Sequence, residues 1–308
     1  MENFGLAIYD FIRTYVPEED ILLNEPMCKH TTFRVGGEAD CFVRISGPAQ
    51  LAGLIPRFLR EKVPYFIVGN GSNLLVGDKG FRGVILQIGS KMSALSGEDG
   101  CIRAGAGALL CAAAKYAMER GLTGLEFASG IPGTIGGGVM MNAGAYGGEM
   151  KQVIKSVTVL DENGKIHTLS GSDMEFGYRT SIVRKKNLVV LEAEMELPAG
   201  NREEILAKME ELAAKRKEKQ PLEFASAGST FKRPEGYFAG KLIMEAGLGD
   251  YGIGGARVSG KHCGFVVNTG GAAASDIAAV IKEVQKRVKE NSGVSLEPEV
   301  IFLGDFHE

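Results

Sequence analysis

Apolar positions recur along this chain in two rhythms, one helical and one alternating. Phe4, Ala7, Ile8, Phe11, Ile12 and Tyr15 share one face of a helix expected over residues 2–16, ended by Pro17 and an acidic cluster. Cys41 to Ile45 reads as a strand, residues 48–62 as a helix bent at Pro56, and Tyr65 to Gly69 as a second strand. Together they predict a β-α-β unit with its strands paired in parallel. Gly83 to Ile88 gives a further strand, and a polar turn is expected near Ser96 to Gly100. Then come a short strand at Cys101 to Ala104 and an alanine-rich helix over Ala108 to Arg120, with Gly121 as its C-cap glycine. Val153 to Leu160 and Lys165 to Leu169 flank Asn163-Gly164 and predict a β-hairpin. Leu188 to Leu197 is a strand, and Pro198-Ala199-Gly200-Asn201 reads as a domain boundary. Residues 202–219 predict a charged helix with Ile205, Leu206, Met209, Leu212 and Ala213 as its apolar stripe. The last helix, Asp276 to Lys289, has Ser275 as its expected N-cap and buries Ile277, Val280, Ile281, Val284 and Val288. Leu296 to Ile301 closes the fold.

One stretch fits neither rhythm. Residues 125–147 contain seven glycines and a single charged side chain, Glu126. The glycines alternate with Leu125, Phe127, Ile131, Ile135, Val139, Met140 and Met141, which would hold the segment inside the protein. Backbone N–H groups freed in this way suit a flat, phosphate-bearing ligand. A glycine-rich turn between core elements explains the same residues. A second glycine turn, Gly69-Asn70-Gly71-Ser72-Asn73, follows a strand, where α/β folds place phosphates. It matches neither G-x-G-x-x-G, because Leu74 holds the last position, nor the G-x-x-x-x-G-K-[ST] loop.

At 308 residues the chain is long enough for two or three domains. A net charge of −3 argues against general affinity for nucleic acid. No apolar run reaches the length of a membrane span, and the acidic start is not a signal peptide. The five cysteines (Cys28, Cys41, Cys101, Cys111, Cys263) are scattered and read as reduced thiols of a cytoplasmic protein. His30, His167, His262 and His307 lie too far apart in sequence to suggest a metal site, so no metal is expected.

Taken in order, six segments carry a resemblance. They are Val68-Gly69-Asn70-Gly71-Ser72-Asn73, Gly130-Ile131-Pro132-Gly133-Thr134-Ile135-Gly136-Gly137, Asn142-Ala143-Gly144-Ala145-Tyr146-Gly147, Tyr178-Arg179, Gly228-Ser229-Thr230-Phe231-Lys232-Arg233-Pro234 and Leu296-Glu297-Pro298-Glu299-Val300. The sequence resembles the UDP-N-acetylenolpyruvoylglucosamine reductase family of bacterial peptidoglycan synthesis. The first three segments are shared with many FAD enzymes of one oxidase-like fold, and the last three are specific to the reductase. The stretch from Tyr178 to Leu197 is too short for the tyrosine-bearing loop of one subclass, so the chain resembles the shorter subclass.

The resemblance implies an α+β flavoenzyme of three domains. A two-domain FAD-binding unit of the vanillyl-alcohol-oxidase-like (PCMH-type) fold, at residues 31–88 and 89–200, follows an N-terminal lead-in at 1–30. A substrate-binding domain of α+β type spans 201–308. FAD, held without a covalent link, would contact Arg34, Gly69, Asn70, Gly71, Ser72, Asn73, the run from Gly130 through Ile131, Pro132, Gly133, Thr134, Ile135 and Gly136 to Gly137, and Asn142, Ala143 and Gly144. NADPH would be the co-substrate and a UDP-sugar the substrate, with no nucleic acid partner, no membrane insertion and no implied oligomer. Tyr178, Arg216, Lys219, Arg233 and His262 are the candidate substrate contacts. A solvated charged face explains Arg216 and Lys219 equally well.

The implied chemistry is hydride addition to the terminal carbon of an enolpyruvyl ether, which leaves a dianionic enolate. Such an intermediate calls for a cation and donors placed in advance. Arg179 supplies a permanent charge and a planar donor fork. Glu299 helps only when protonated, or as the orienting partner of another donor. By the resemblance Ser229 protonates the carbon, and Lys232 or a water would stabilise the alkoxide left behind. Arg179, Ser229 and Glu299 are thus the catalytic candidates. Two other readings share parts of this pattern. A small FAD oxidase or dehydrogenase would need the glycine loops but not the Ser229 and Glu299 motifs, and a nucleotide-sugar binding module would not turn over.

Overall fold

The computed structural model describes residues 5–98 and 100–306. Residues 2–4 of the expected first helix, and His307, lie outside the described residues. Contacts divide the chain into two compact units, each drawn from three segments. The first comprises residues 1–23, 41–70 and 83–216, and the second 24–40, 71–82 and 217–308. Each has its own apolar core. Ile12, Phe58, Ile102, Val157 and Met195 belong to the first, and Phe33, Leu75, Val258, Val280 and Val300 to the second.

The first unit contains a five-stranded antiparallel sheet. Its order is Ile166–Ser170, Ile154–Leu160, Val189–Glu196, Cys101–Gly105, Leu95–Glu98. The expected hairpin is present. Gly164 takes φ +76° at its turn, and the Asp161 carboxylate accepts from the Asn163 and Lys165 N–H groups. The Leu110–Glu119 helix is followed by Gly121 at φ +66°, as the C-cap reading requires. Where a polar turn was expected near Ser96, Leu95–Glu98 is instead an edge strand paired with Cys101–Gly105. Its backbone bonds outweigh its weak strand-forming composition.

A four-stranded sheet, in the order Ile21–Pro26, Glu38–Ile45, Phe81–Ile88, Tyr65–Val68, corrects the β-α-β reading. The helix Pro48–Glu61 does connect Glu38–Ile45 to Tyr65–Val68, but Phe81–Ile88 lies between those strands and pairs in parallel with Tyr65–Val68. Local pattern shows that a crossover exists, not which later strand enters the gap.

In the second unit, the antiparallel order is Ala225–Ser226, Val266–Asn268, Ala256–Val258, Gly252–Ile253. The Ala274–Ser292 helix buries Ile277, Val280, Ile281, Val284 and Val288 as expected. It starts earlier than the sequence suggested. Ser275 lies inside it, and its Ala274 and Ser275 N–H groups donate to the two carboxylate oxygens of Asp78, at 2.7 and 2.9 Å. Ile301–Leu303 pairs in parallel with Leu74–Val76. The helix Arg202–Lys219 buries only Ile205 and Leu212 of its stripe, and Leu206 is 41% exposed. Among the described residues no helix is long and apolar enough to cross a membrane.

Candidate functional site

In the first unit the two glycine-rich loops interlock. A Cβ at Gly69 would lie 2.4 Å from Thr134 Oγ1, so no other residue fits without displacing it. The Asn70 side-chain amide donates to the Pro132 carbonyl at 2.6 Å. Thr134 caps the short Ile135–Met140 helix by accepting from the Gly137 N–H at 3.4 Å. Gly138 is buried in that helix against Leu110, where a Cβ would approach to 3.1 Å. The run of glycines that looked like a loop is therefore partly helical, because its small residues allow close packing on the Leu110–Glu119 helix. Among the described residues the N–H groups of Asn70, Gly130, Gly133 and Thr134 meet no acceptor within the protein. Free donors on glycine-bearing loops suit the pyrophosphate oxygens of FAD.

Asn142, 2% exposed and at φ +43°, is a hub within the first unit. Its amide nitrogen donates to Glu149 Oε2 at 3.0 Å and to the Gly177 carbonyl at 3.1 Å, and its Oδ1 accepts from the Lys151 N–H at 2.9 Å. Gly177 opens the tight turn that carries Tyr178 and Arg179, closed by reciprocal backbone bonds with Thr180. Arg179 holds φ +55°, and its guanidinium carbon sits 5.2 Å from the Tyr178 ring centroid. On the far side of the turn, fully buried Ser181 donates to the Met140 carbonyl at 3.0 Å. The turn is thus fastened at both ends to the glycine segment. A left-handed arginine costs about 1–3 kcal/mol and persists where its surroundings over-determine it. Sequence reasoning missed Ser181 and this role of Asn142. The small polar residues at both positions were visible, but not their partners.

Arg216 donates to the Gly130 carbonyl, which couples the Arg202–Lys219 helix to the glycine segment. Lys219 is exposed at the end of that helix.

In the second unit, Ser229 and Glu299 come from segments far apart in sequence that meet at an isolated β-bridge between Phe231 and Pro298. The Glu299 N–H donates to the Thr230 carbonyl at 2.8 Å, the Lys232 N–H donates to the Glu297 carbonyl at 2.9 Å, and Phe231 bridges Pro298. Thr230 is fully buried. Its N–H donates to the Gly264 carbonyl, and its hydroxyl accepts from the Val266 N–H, each at 2.9 Å. Ser229 itself is exposed, after Gly228 at φ +75°. The Lys232 ammonium is paired with the Glu297 carboxylate. His262 Nδ1 accepts from the Gly264 N–H at 3.1 Å, and its ring meets Phe265 edge-on at 4.9 Å. Burial pushes its pKa down, so the ring is neutral at pH 7. The Arg233 guanidinium lies 4.0 Å from the Phe238 ring centroid and donates to the Tyr237 carbonyl. Arg34 is exposed at φ +57°. A Cβ at Gly71, φ +59°, would lie 2.0 Å from the His30 carbonyl oxygen. No group of three or more His, Cys, Asp or Glu among the described residues could hold a metal ion.

Two family models match this chain. One describes an FAD binding domain and covers residues 39–170. The other describes the C-terminal domain of UDP-N-acetylenolpyruvoylglucosamine reductase and covers residues 220–303. The protein is an FAD-dependent oxidoreductase of α+β architecture, with an FAD-binding part followed by a C-terminal domain of its own type. It is 51% identical to the UDP-N-acetylenolpyruvoylglucosamine reductase of Caldanaerobacter subterraneus, over 97% of this chain and 98% of the relative. It is 52% identical to that of Agathobacter rectalis, over 94% and 96%. A solved UDP-N-acetylenolpyruvylglucosamine reductase from Thermus caldophilus superposes with a TM-score of 0.78 at 34% identity, covering 92% of this chain and 98% of that one. The chain belongs to the UDP-N-acetylenolpyruvoylglucosamine reductase family. That bears out the resemblance read from its sequence.

Proposed function

We propose that the protein reduces UDP-N-acetyl-enolpyruvoylglucosamine to UDP-N-acetylmuramate with NADPH, in the cytoplasm, as a step of peptidoglycan precursor synthesis. FAD, when bound, would supply the hydride-transfer chemistry between NADPH and the terminal carbon of the enolpyruvyl group. Asn70, Gly130, Gly133 and Thr134 would hold the cofactor through backbone donors, with Gly69, Ile131, Pro132, Ile135, Gly136, Gly137, Gly71, Ser72, Arg34 and the Asn142–Gly144 segment completing its contacts, whereas the Asn73 side chain is taken up by the Glu299 carbonyl. Arg179 neutralises the charge that builds on the substrate carboxylate, as a planar cation set in advance. Glu299 helps to stabilise the same enolate, either protonated as a donor or as the orienting partner of another donor. Ser229 gives its proton to the carbon next to the carboxylate. One hydride and one proton then saturate the double bond. Tyr178, Arg216, Lys219, Arg233 and His262 are the proposed substrate contacts, and neutral His262 can donate through Nε2. The functional domains we assign are residues 31–88, 89–200 and 201–308, after a lead-in at 1–30.

The observation that supports this reading is the pair of backbone bonds around the Phe231–Pro298 bridge, from the Glu299 N–H to the Thr230 carbonyl and from the Lys232 N–H to the Glu297 carbonyl, which lays the segments of the proposed proton donor and the proposed carboxyl side by side. The test is anaerobic. NADPH is expected to bleach the yellow holoenzyme, and the enolpyruvyl UDP-sugar to restore its colour with stoichiometric product. Bleaching without recovery on this substrate would overturn the assignment.

A further inference from the structure

Asn73 ends the glycine loop that follows the Tyr65–Val68 strand. Its side-chain amide is directed at another segment of the second unit, donating to the Glu299 carbonyl at 3.1 Å. Its own carbonyl accepts from the Ile301 N–H at 3.0 Å. These two bonds bracket Val300 and open the parallel pairing of Leu74–Val76 with Ile301–Leu303. On its other side, Glu299 gives its N–H to the Thr230 carbonyl at 2.8 Å, next to Ser229. Both polar groups of the Glu299 backbone are therefore fixed, one by Thr230 and the other by Asn73.

We propose that Asn73 is a positioning residue for Glu299. The inference rests on the reading above, in which Glu299 meets the enolate. Its physical content is narrow. A side-chain amide is the only part of Asn73 that can reach the Glu299 carbonyl while its own backbone stays in register with Ile301. Asn73→Ala leaves that carbonyl without its donor, and Asn73→Asp sets a carboxylate oxygen against it. Either change lets the Glu299 peptide tilt between Thr230 and Ile301 and displaces the carboxyl at its tip. Small misplacements of a positioned group are costly in rate.

The test uses the holoenzyme and follows flavin absorbance in two separate half-reactions. For Asn73→Ala, reduction by NADPH is expected to stay within about twofold of the unaltered protein, while reoxidation by the enolpyruvyl UDP-sugar slows roughly tenfold or more. Glu299→Gln is expected to slow reoxidation as well, and adding Asn73→Ala to it should slow the reaction no further, because both act through one carboxyl. If Asn73→Ala fails to fold, Asn73→Ser, which keeps a shorter donor, replaces it in the same comparison. Effects that multiply in the double variant, or lost flavin occupancy with normal reoxidation per flavin, would make Asn73 a cofactor contact and overturn the inference. A slow Glu299→Gln beside a normal Asn73→Ala removes the inference alone. A Glu299→Gln that reoxidises at the full rate removes the role of Glu299, and the inference with it.

Discussion

Arg179 and Ser229 are held in opposite ways. The Arg179 turn is strained and depends on side chains, since Asn142 grips the Gly177 carbonyl and Ser181 grips the Met140 carbonyl. The Ser229 segment depends on backbone. Thr230 and Lys232 meet Glu299 and Glu297 through backbone bonds on either side of the Phe231–Pro298 bridge. A turn fastened by side chains can be loosened by one substitution far from the chemistry. A segment held by its backbone leaves an exposed side chain such as Ser229 replaceable with little effect on the fold.

The largest effect should test that contrast directly. Ser229→Ala is expected to slow reoxidation of the reduced holoenzyme by the enolpyruvyl UDP-sugar by roughly 10²–10⁴-fold, with an unchanged melting temperature. A melting point that fell with the rate would put Ser229 in the same class as Arg179's supports. Asn142→Ala removes three hydrogen bonds at a buried left-handed position and should cost about 2–4 kcal/mol in denaturant unfolding, with activity falling too. Ser181→Ala strips one bond and should cost about 1 kcal/mol. It is expected to slow reoxidation more than reduction by NADPH, because the turn it fastens bears Arg179.

The smallest effect concerns Asp78. Burial alone would raise its pKa, yet the Ser275 hydroxyl and the Ser275 and Ala274 N–H groups hold it below the ordinary 3.8. A carboxylate depressed in the folded state adds stability above its unfolded pKa and loses it as pH falls through the folded value. Asp78→Asn is therefore expected to lower stability by about 1 kcal/mol at pH 7. Melting curves should show that gap closing below roughly pH 4. A gap independent of pH would mean that shape, not charge, caps the helix.

The same contrast explains what the sequence disclosed. The Asn163-Gly164 hairpin, the Gly121 helix stop and the apolar face of Ala274–Ser292 follow from neighbours a few residues apart, and they could be read. So could the motifs that carry the family resemblance, since residue type and order survive any packing. Supports acting across long separations were hidden. Asp78 caps a helix 196 residues away, and Phe81–Ile88 enters the gap left beside Glu38–Ile45. Arg216 was legible as a candidate substrate contact or a solvated cation, but not as a partner of the Gly130 carbonyl. Glycine content signalled close approach in each loop, but not that Thr134 would stand against Gly69.

The pairing of Asn73 with Glu299 also bears on how this protein is made. The partners are 226 residues apart, and Ile301–Leu303 is the last strand among the described residues. At about 5–20 residues per second, a ribosome needs roughly 10–45 s to supply the second partner after the first. Throughout that interval the Leu74–Val76 edge lacks its Ile301–Leu303 mate, so this part of the second unit stays open to chaperones and proteases until those residues have emerged.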